Sequence, residues 1–166
     1  MALIQSIQVL IRTGDKSGAG TDGDVYAGCF GREFYLDTKA DDFERSSQRI
    51  YTLGDGTNTL HSDLNDPRHP PLNDSNPPIP AYIRFVGRNR DDLWQLLEVA
   101  IRVNGNPSIT YALRPTTDDG FWMGTHAAGI VFIPRVDGRV VSGLKAKRVN
   151  KKKKTKTKQK KKARRR

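Results

Sequence analysis

The sequence predicts an all-β fold, an antiparallel β-sandwich of two packed sheets, followed by a strongly basic tail. Three observations predict it. Apolar residues recur at every second position in one run after another; 15 Gly and 9 Pro leave little room for long helices; and turn-forming pairs separate the runs at short intervals. A chain of 166 residues can bury one proper hydrophobic core.

Ile7, Val9 and Ile11 alternate with Gln8, Leu10 and Arg12 as a first strand. Val25, Ala27 and Cys29 alternate with Tyr26, Gly28 and Phe30, and a Gly31-Arg32 turn leads into Glu33–Asp37, so these two runs form a hairpin. Further strands are expected over Arg49–Leu53, Tyr82–Val86, Leu96–Val103, Ser108–Leu113 and Ile130–Pro134. The long one places Leu97, Val99, Ile101 and Val103 on one face. Helical spacing is also present at Leu93, Leu96, Leu97 and Ala100, but the alternation and the β-rich surroundings favour a strand. Asn104-Gly105-Asn106 marks one turn and Asp137-Gly138 another, with a last short strand through Val140-Val141. Trp94 reads as a core aromatic. Cys29, the single cysteine, reads as a buried small hydrophobe and excludes both an intrachain disulfide and a multi-cysteine zinc site.

Two segments depart from this pattern. Gly54–Pro80 holds Pro67, Pro70, Pro71, Pro77, Pro78 and Pro80 among Asn, Asp, Ser and His, a composition that suits a mobile surface excursion and builds no core. Residues 145–166 hold 15 of the 29 Lys and Arg and none of the 18 Asp and Glu, which leaves 14 basic and 18 acidic residues, a net charge of −4, in residues 1–144. The chain therefore divides into a mildly acidic sandwich over 1–144 and a disordered polybasic tail over 145–166. Lys151, Lys152, Lys153 and Lys154, then Lys160, Lys161 and Lys162, then Arg164, Arg165 and Arg166 give the tail a polyanion-binding character. An anionic lipid surface, non-specific nucleic acid and a nuclear import address remain open for it. The tail has no aromatic side chain on which a base could stack.

No stretch approaches the roughly 18 apolar residues that span a bilayer. The N-terminus lacks a basic leader and a cleavage pattern. The expectation is a monomeric intracellular protein, cytoplasmic with peripheral membrane association, and nuclear if the tail acts as an address.

The chemistry concentrates in Thr13–Tyr26, TGDKSGAGTDGDVY. Gly18–Gly23 satisfies the GxGxxG spacing of dinucleotide sites, but those need a helix next, and Asp24–Phe30 alternates as a strand. Glycines that free backbone carbonyls, together with Asp15, Asp22 and Asp24, make a hard-oxygen donor set suited to Ca2+. One loop supplies too few ligands. Asp41-Asp42-Phe43-Glu44 and Asp91-Asp92 add two more acidic clusters, each at a strand end.

These residues resemble the PLAT, or lipoxygenase homology, domain family. TGDKSGAGTDGDVY is similar to that family's first strand and calcium loop, and DDFER at Asp41–Arg45 to its second acidic segment. Asp91-Asp92-Leu93-Trp94 is similar to its acid-then-Trp motif, and Ile109–Leu113 with Phe121-Trp122 to its ending. The resemblance implies an eight-stranded antiparallel sandwich of two four-stranded sheets with calcium at one end. It implies ligands from the carbonyls of Gly18, Gly20 and Thr21, the carboxylate of Asp22, then Asp41, Asp42 and Glu44, and then Asp91 or Asp92. It also implies a non-catalytic module that docks on an anionic membrane surface or a protein partner. The bilayer-inserting aromatics of the family are replaced here by Ser17 and Asn89, which leaves Phe121 and Trp122 either as a membrane wedge or as a packed plug.

Catalytic alternatives fare worse. No GxSxG, HExxH, P-loop or CxxC sequence occurs, and His61, His69 and His126 lie in Pro/Asn-rich or Gly-rich loops without the paired spacing of metal ligands. Asp42 and Glu44 come from one segment, whereas glycosidase pairs usually flank a cleft from separate elements. The competing class is a nucleic-acid-associated protein whose tail binds and whose sandwich is a scaffold.

Overall fold

The computed structural model describes residues 2–74, 80–116 and 119–136. The Asp137-Gly138 turn, the Val140-Val141 strand and the whole basic tail lie outside the described residues.

Among the described residues the chain forms nine strands: β1 (Ser6–Thr13), β2 (Asp24–Cys29), β3 (Arg32–Tyr35), β4 (Gln48–Gly54), β5 (Ala81–Val86), β6 (Leu93–Val103), β7 (Asn106–Leu113), β8 (Phe121–Gly124) and β9 (Ile130–Ile133). Every named pairing is antiparallel. One sheet runs β3-β2-β5-β9 and the other β4-β1-β6-β7, with β8 also on β6. β7 pairs with Val99–Val103 and β8 with Leu93–Leu96, so the two follow each other along one edge of β6 and this sheet is four positions wide. The architecture is the expected all-β sandwich.

Alternation fills the space between the sheets. Ile7, Val9 and Ile11 of β1 share one buried cluster with Val25, Ala27 and Cys29 of β2, Ile83 and Phe85 of β5, and Val99, Ile101 and Val103 of β6. Trp94 is fully buried in it.

Three local expectations shift. The β2–β3 hairpin turns at Phe30-Gly31 and not at Gly31-Arg32; both residues have positive φ, 54° and 81°, as a two-residue primed turn requires. Leu97 does not share a face with Val99. Arg12 pairs with Glu98 and Thr13 with Leu96, so Leu97 is the extra residue of a bulge that switches the phase of β6. Trp94 and Leu96 point inward before it, Val99 onward after it, and Leu97 is half-buried. β8 is the strand the pattern does not announce, because its Phe121-Trp122-Met123-Gly124 run has no apolar–polar alternation.

The described part of the Gly54–Pro80 excursion, residues 54–74, is docked, contrary to its loop-like composition. The Asn65 side chain accepts from the Tyr35 N–H at 3.0 Å and donates to the Tyr35 carbonyl at 2.8 Å, standing in for a neighbouring strand on the edge of β3. Asn58 does the same for β4, accepting from the Thr52 N–H at 2.7 Å and donating to the Ile50 carbonyl at 2.9 Å. Arg32 donates to the carbonyls of Leu64, Asp66 and His69, and Leu72 joins the main core. Asp66 holds the segment's fold by accepting from the Arg68 N–H and guanidinium and from His69.

The hydrogen bonds from Arg68 hold the Asp66 carboxyl well below its ordinary range. Such a group stabilises the fold above its unfolded pKa of about 4, and the contribution fades as the pH falls further. Asp66→Asn should cost about 1–3 kcal/mol at pH 7. The difference from wild type, measured by urea denaturation, should shrink between about pH 5 and about pH 2. A difference independent of pH would contradict this role.

Candidate metal centre

The antiparallel registers bring four connections to one end of the sandwich: residues 14–23 after β1, 36–47 after β3, 87–92 after β5 and 125–129 after β8. This rim is where the acidic clusters lie.

A core residue anchors the second connection. Phe43 turns inward on a left-handed backbone, φ 62°, and its ring stacks on Tyr51 at 5.5 Å and meets Trp94 edge-on at 5.4 Å. Trp94 in turn donates its indole N–H to the Thr13 hydroxyl at 3.1 Å, and that hydroxyl lies 3.4 Å from the Phe43 carbonyl as a donor. With Phe43 fixed, its neighbours Asp42 and Glu44 leave the core in set directions.

Thr21 ties the first connection to the other two. Its N–H donates to the Phe43 carbonyl at 3.3 Å, its hydroxyl donates to Asp92 Oδ1 at 2.9 Å and accepts from the Gly23 N–H at 2.8 Å. Gly20 permits the approach: a Cβ there would lie 2.8 Å from the Arg45 nitrogen and 3.4 Å from the Glu44 Cα. The first loop therefore lies directly on the backbone that carries Glu44.

The result is a cluster of Asp22, Asp41 and Glu44, each offering a carboxylate oxygen within 4.8 Å of the others, all three exposed. Two like charges at that distance in water repel by about 1 kcal/mol, so the arrangement favours a cation between them. Among the described residues, no group donates to the carbonyls of Gly18, Gly20 or Thr21, whereas the Ala19 carbonyl accepts from the Gln95 N–H at 3.0 Å. Three carboxylates and free carbonyls on adjacent loops fit the all-oxygen, flexible coordination of Ca2+.

The other expected ligands are placed differently. Asp42 points away from the cluster, its side chain 6% exposed, accepting from the Thr38 N–H at 2.6 Å, the Tyr51 hydroxyl at 3.2 Å and Arg49 at 2.7 Å. Packing of the β3–β4 connection occupies it. Asp92 is held by Thr21 and by the Arg88 N–H at 2.9 Å, which makes it the strut under the first loop. Asp91 lies exposed in the same connection but outside the three-acid cluster. Asp15 pairs with Arg45 at 3.0 Å, and Asp24 accepts from the Tyr35 hydroxyl at 2.9 Å.

Arg88 is a residue that pattern reasoning missed. Its guanidinium lies 3.3 Å from Asp22, a cation already touching the cluster. Nothing in the local spacing announces it, because 66 residues separate the pair.

Phe121 is half-buried and packs against the core; Trp122 is half-buried on the opposite face of β8, beside Gln95. Neither lies at the rim, where β8 ends in Gly124. The large apolar side chains exposed towards the rim are Val86, Leu93 and Ile130, at 43%, 40% and 45%. Burial pushes the Cys29 thiol up to about 12, as suits an inert core residue.

No family model matches the chain, and no curated protein matches it in sequence. Solved structures do. The alpha toxin of Clostridium absonum superposes with a TM-score of 0.50 at 22% identity, covering 80% of this chain and 32% of the toxin. The coral 8R-lipoxygenase superposes with a TM-score of 0.53 at 19% identity, covering 78% of this chain and 17% of the enzyme. The fold is PLAT-like. A lipoxygenase in complex with arachidonate matches the PLAT-like sandwich similarly, with a TM-score of 0.51, 18% identity and coverage of 79% and 16%. The coral structure is described in terms of calcium activation through a C2-like domain. This chain spans less than a third of each of these proteins.

The two neighbouring aspartates should separate in a stability assay. With chelator present, Asp42→Asn should lower the urea-unfolding free energy by about 1–3 kcal/mol, because its buried partners lose an ionic acceptor. Asp41→Asn should stay within about 0.5 kcal/mol of wild type. Equal effects would refute the assignment of Asp42 to packing.

Proposed function

We propose that the sandwich is a non-catalytic module that binds Ca2+ through Asp22, Asp41 and Glu44 and then docks, rim first, on an anionic membrane surface. The observation that carries this reading is the convergence of three carboxylates from two loops far apart in sequence. The likeness of the fold to part of a lipoxygenase described as calcium-activated supports it.

The charge of the rim gives the ion its role. The four connections hold eight acids, Asp15, Asp22, Asp37, Asp41, Asp42, Glu44, Asp91 and Asp92, against five bases, Lys16, Lys39, Arg45, Arg88 and Arg90. An acidic rim is repelled by an anionic leaflet, and one bound divalent cation removes most of that excess. Leu93, Val86 and Ile130 then supply apolar contact, and Arg88, released from Asp22, can meet a lipid phosphate. The polybasic tail adds calcium-independent attraction of about 1 kcal/mol per residue near such a leaflet.

Thermal melting tests the metal. Calcium should raise the midpoint of the wild-type chain over chelator, and Asp22→Asn with Glu44→Gln should abolish the rise without lowering the chelator midpoint. Arg88→Gln should strengthen apparent calcium affinity by up to about fivefold, the scale of one exposed ion pair. Co-sedimentation with phosphatidylserine vesicles tests the surface. A chain ending at Leu144 should bind only with calcium, and Leu93→Asp should abolish that binding. If all binding disappears with the tail and calcium has no effect, the module is a scaffold for a polyanion-binding terminus.

A further inference from the structure

Docked residues 54–74 create a second candidate site, beside the metal centre and lined by none of its three carboxylates. Where the edge strands β3 and β4 part, residues 57–60 lie across the opening, fixed by Asn58 on β4 and by the Leu60 N–H donating to the Asp37 carbonyl at 2.8 Å. Beside them is a wide, largely open cleft of ≈ 660 Å³.

Its chemistry runs against the rest of the body. Eight residues line the cleft and none is acidic, although acids outnumber bases in residues 1–144. Two are cations, Lys39 and Arg49, and Thr38, Thr57, Thr59 and Asn58 add hydroxyl and amide groups. Arg49 is set in place, its Nη1 donating to Asp42 at 2.7 Å and to the Thr38 hydroxyl at 2.9 Å, its Nη2 to the Asp41 carbonyl at 3.2 Å. Asp42 pairs with this guanidinium from outside the lining, so Arg49 keeps only its remaining N–H groups for a ligand. Lys39 is exposed and, among the described residues, has no acidic partner.

We propose that this cleft binds a phosphomonoester group on a small polyol. A held, planar guanidinium and a mobile ammonium are complementary to a phosphoryl dianion, and the hydroxyl-rich wall suits the polyol that carries it. The group can come from a lipid headgroup or from a soluble ester. Binding here does not require the ion, because no residue of the Asp22, Asp41 and Glu44 cluster lines the cleft.

The test is titration of the full-length protein with sn-glycerol 3-phosphate in chelator, read by backbone amide NMR so that the tail and the cleft report separately. Saturable shifts should appear at Lys39, Asn58 and Thr59. Lys39→Glu should weaken them at least about fivefold, whereas Arg114→Glu, the same charge change just past β7 at the opposite edge of the sheet from β4, should not. Shifts confined to tail lysines, shifts that never saturate, or equal effects of the two variants would overturn the proposal. A second arm adds vesicles of phosphatidylcholine with phosphatidic acid. If the soluble ester competes with the vesicles at the cleft amides, the source is a headgroup; if the cleft binds only the soluble ester, the source is free. Loss of the calcium response in Asp22→Asn should leave every cleft signal intact, which separates failure of this site from failure of the metal centre.

Discussion

The burial of Phe43 against Trp94 and Tyr51 is the contact on which the rim depends. A connection carrying four acids would otherwise be a solvated loop with no fixed direction. Burying one phenylalanine contributes about 1.5–3 kcal/mol, and the left-handed backbone it demands costs roughly 1–2 kcal/mol. The balance is small but sets geometry: Asp42 is pulled beneath the loop, and Glu44 is delivered to the surface beside Gly20. Thr21 then fastens the first loop to this fixed point and to Asp92. The acids of the rim thus divide into those that build the platform and those that stand on it.

That division explains what could be read from the residues in advance. Alternation places most strands correctly because one face of each is buried, and the TGDKSGAGTDGDVY and DDFER segments do meet at one end. Chain spacing is silent on direction within a loop. Asp41 and Asp42 are adjacent and chemically identical, and only the inward turn of Phe43 decides which carboxylate reaches solvent. The bulge at Leu97 is invisible for a similar reason, since Leu97 and Leu96 are the same residue type and the phase change exists only in the pairing with β1. Arg88 beside Asp22 and Asn65 against Tyr35 are long-range partners with no local signal.

The proline-rich insertion is the largest departure of structure from composition. Its polar residues read as a solvated excursion, but Asn58 and Asn65 spend their amides on the backbones of β4 and β3. Exposed strand edges invite association with other chains, and side-chain amides that copy a neighbouring strand remove that hazard. The same segment borders an open cleft that carries Lys39 and Arg49 and no acidic lining residue. Two groups of cations thus stand apart chemically: Arg49, held by its neighbours beside an exposed Lys39, and the run of lysines in the tail sequence.

The account stands or falls on whether one ion sits among Asp22, Asp41 and Glu44. An anomalous-difference map from a crystal of the protein grown with calcium measures this directly. The expected result is a single peak with oxygens of all three carboxylates at about 2.3–2.6 Å, Arg88 displaced from Asp22, and Asp42 still bound to Arg49. A map with no peak at the rim, or with one bound by Asp42 or Asp91 in place of the three, would contradict it.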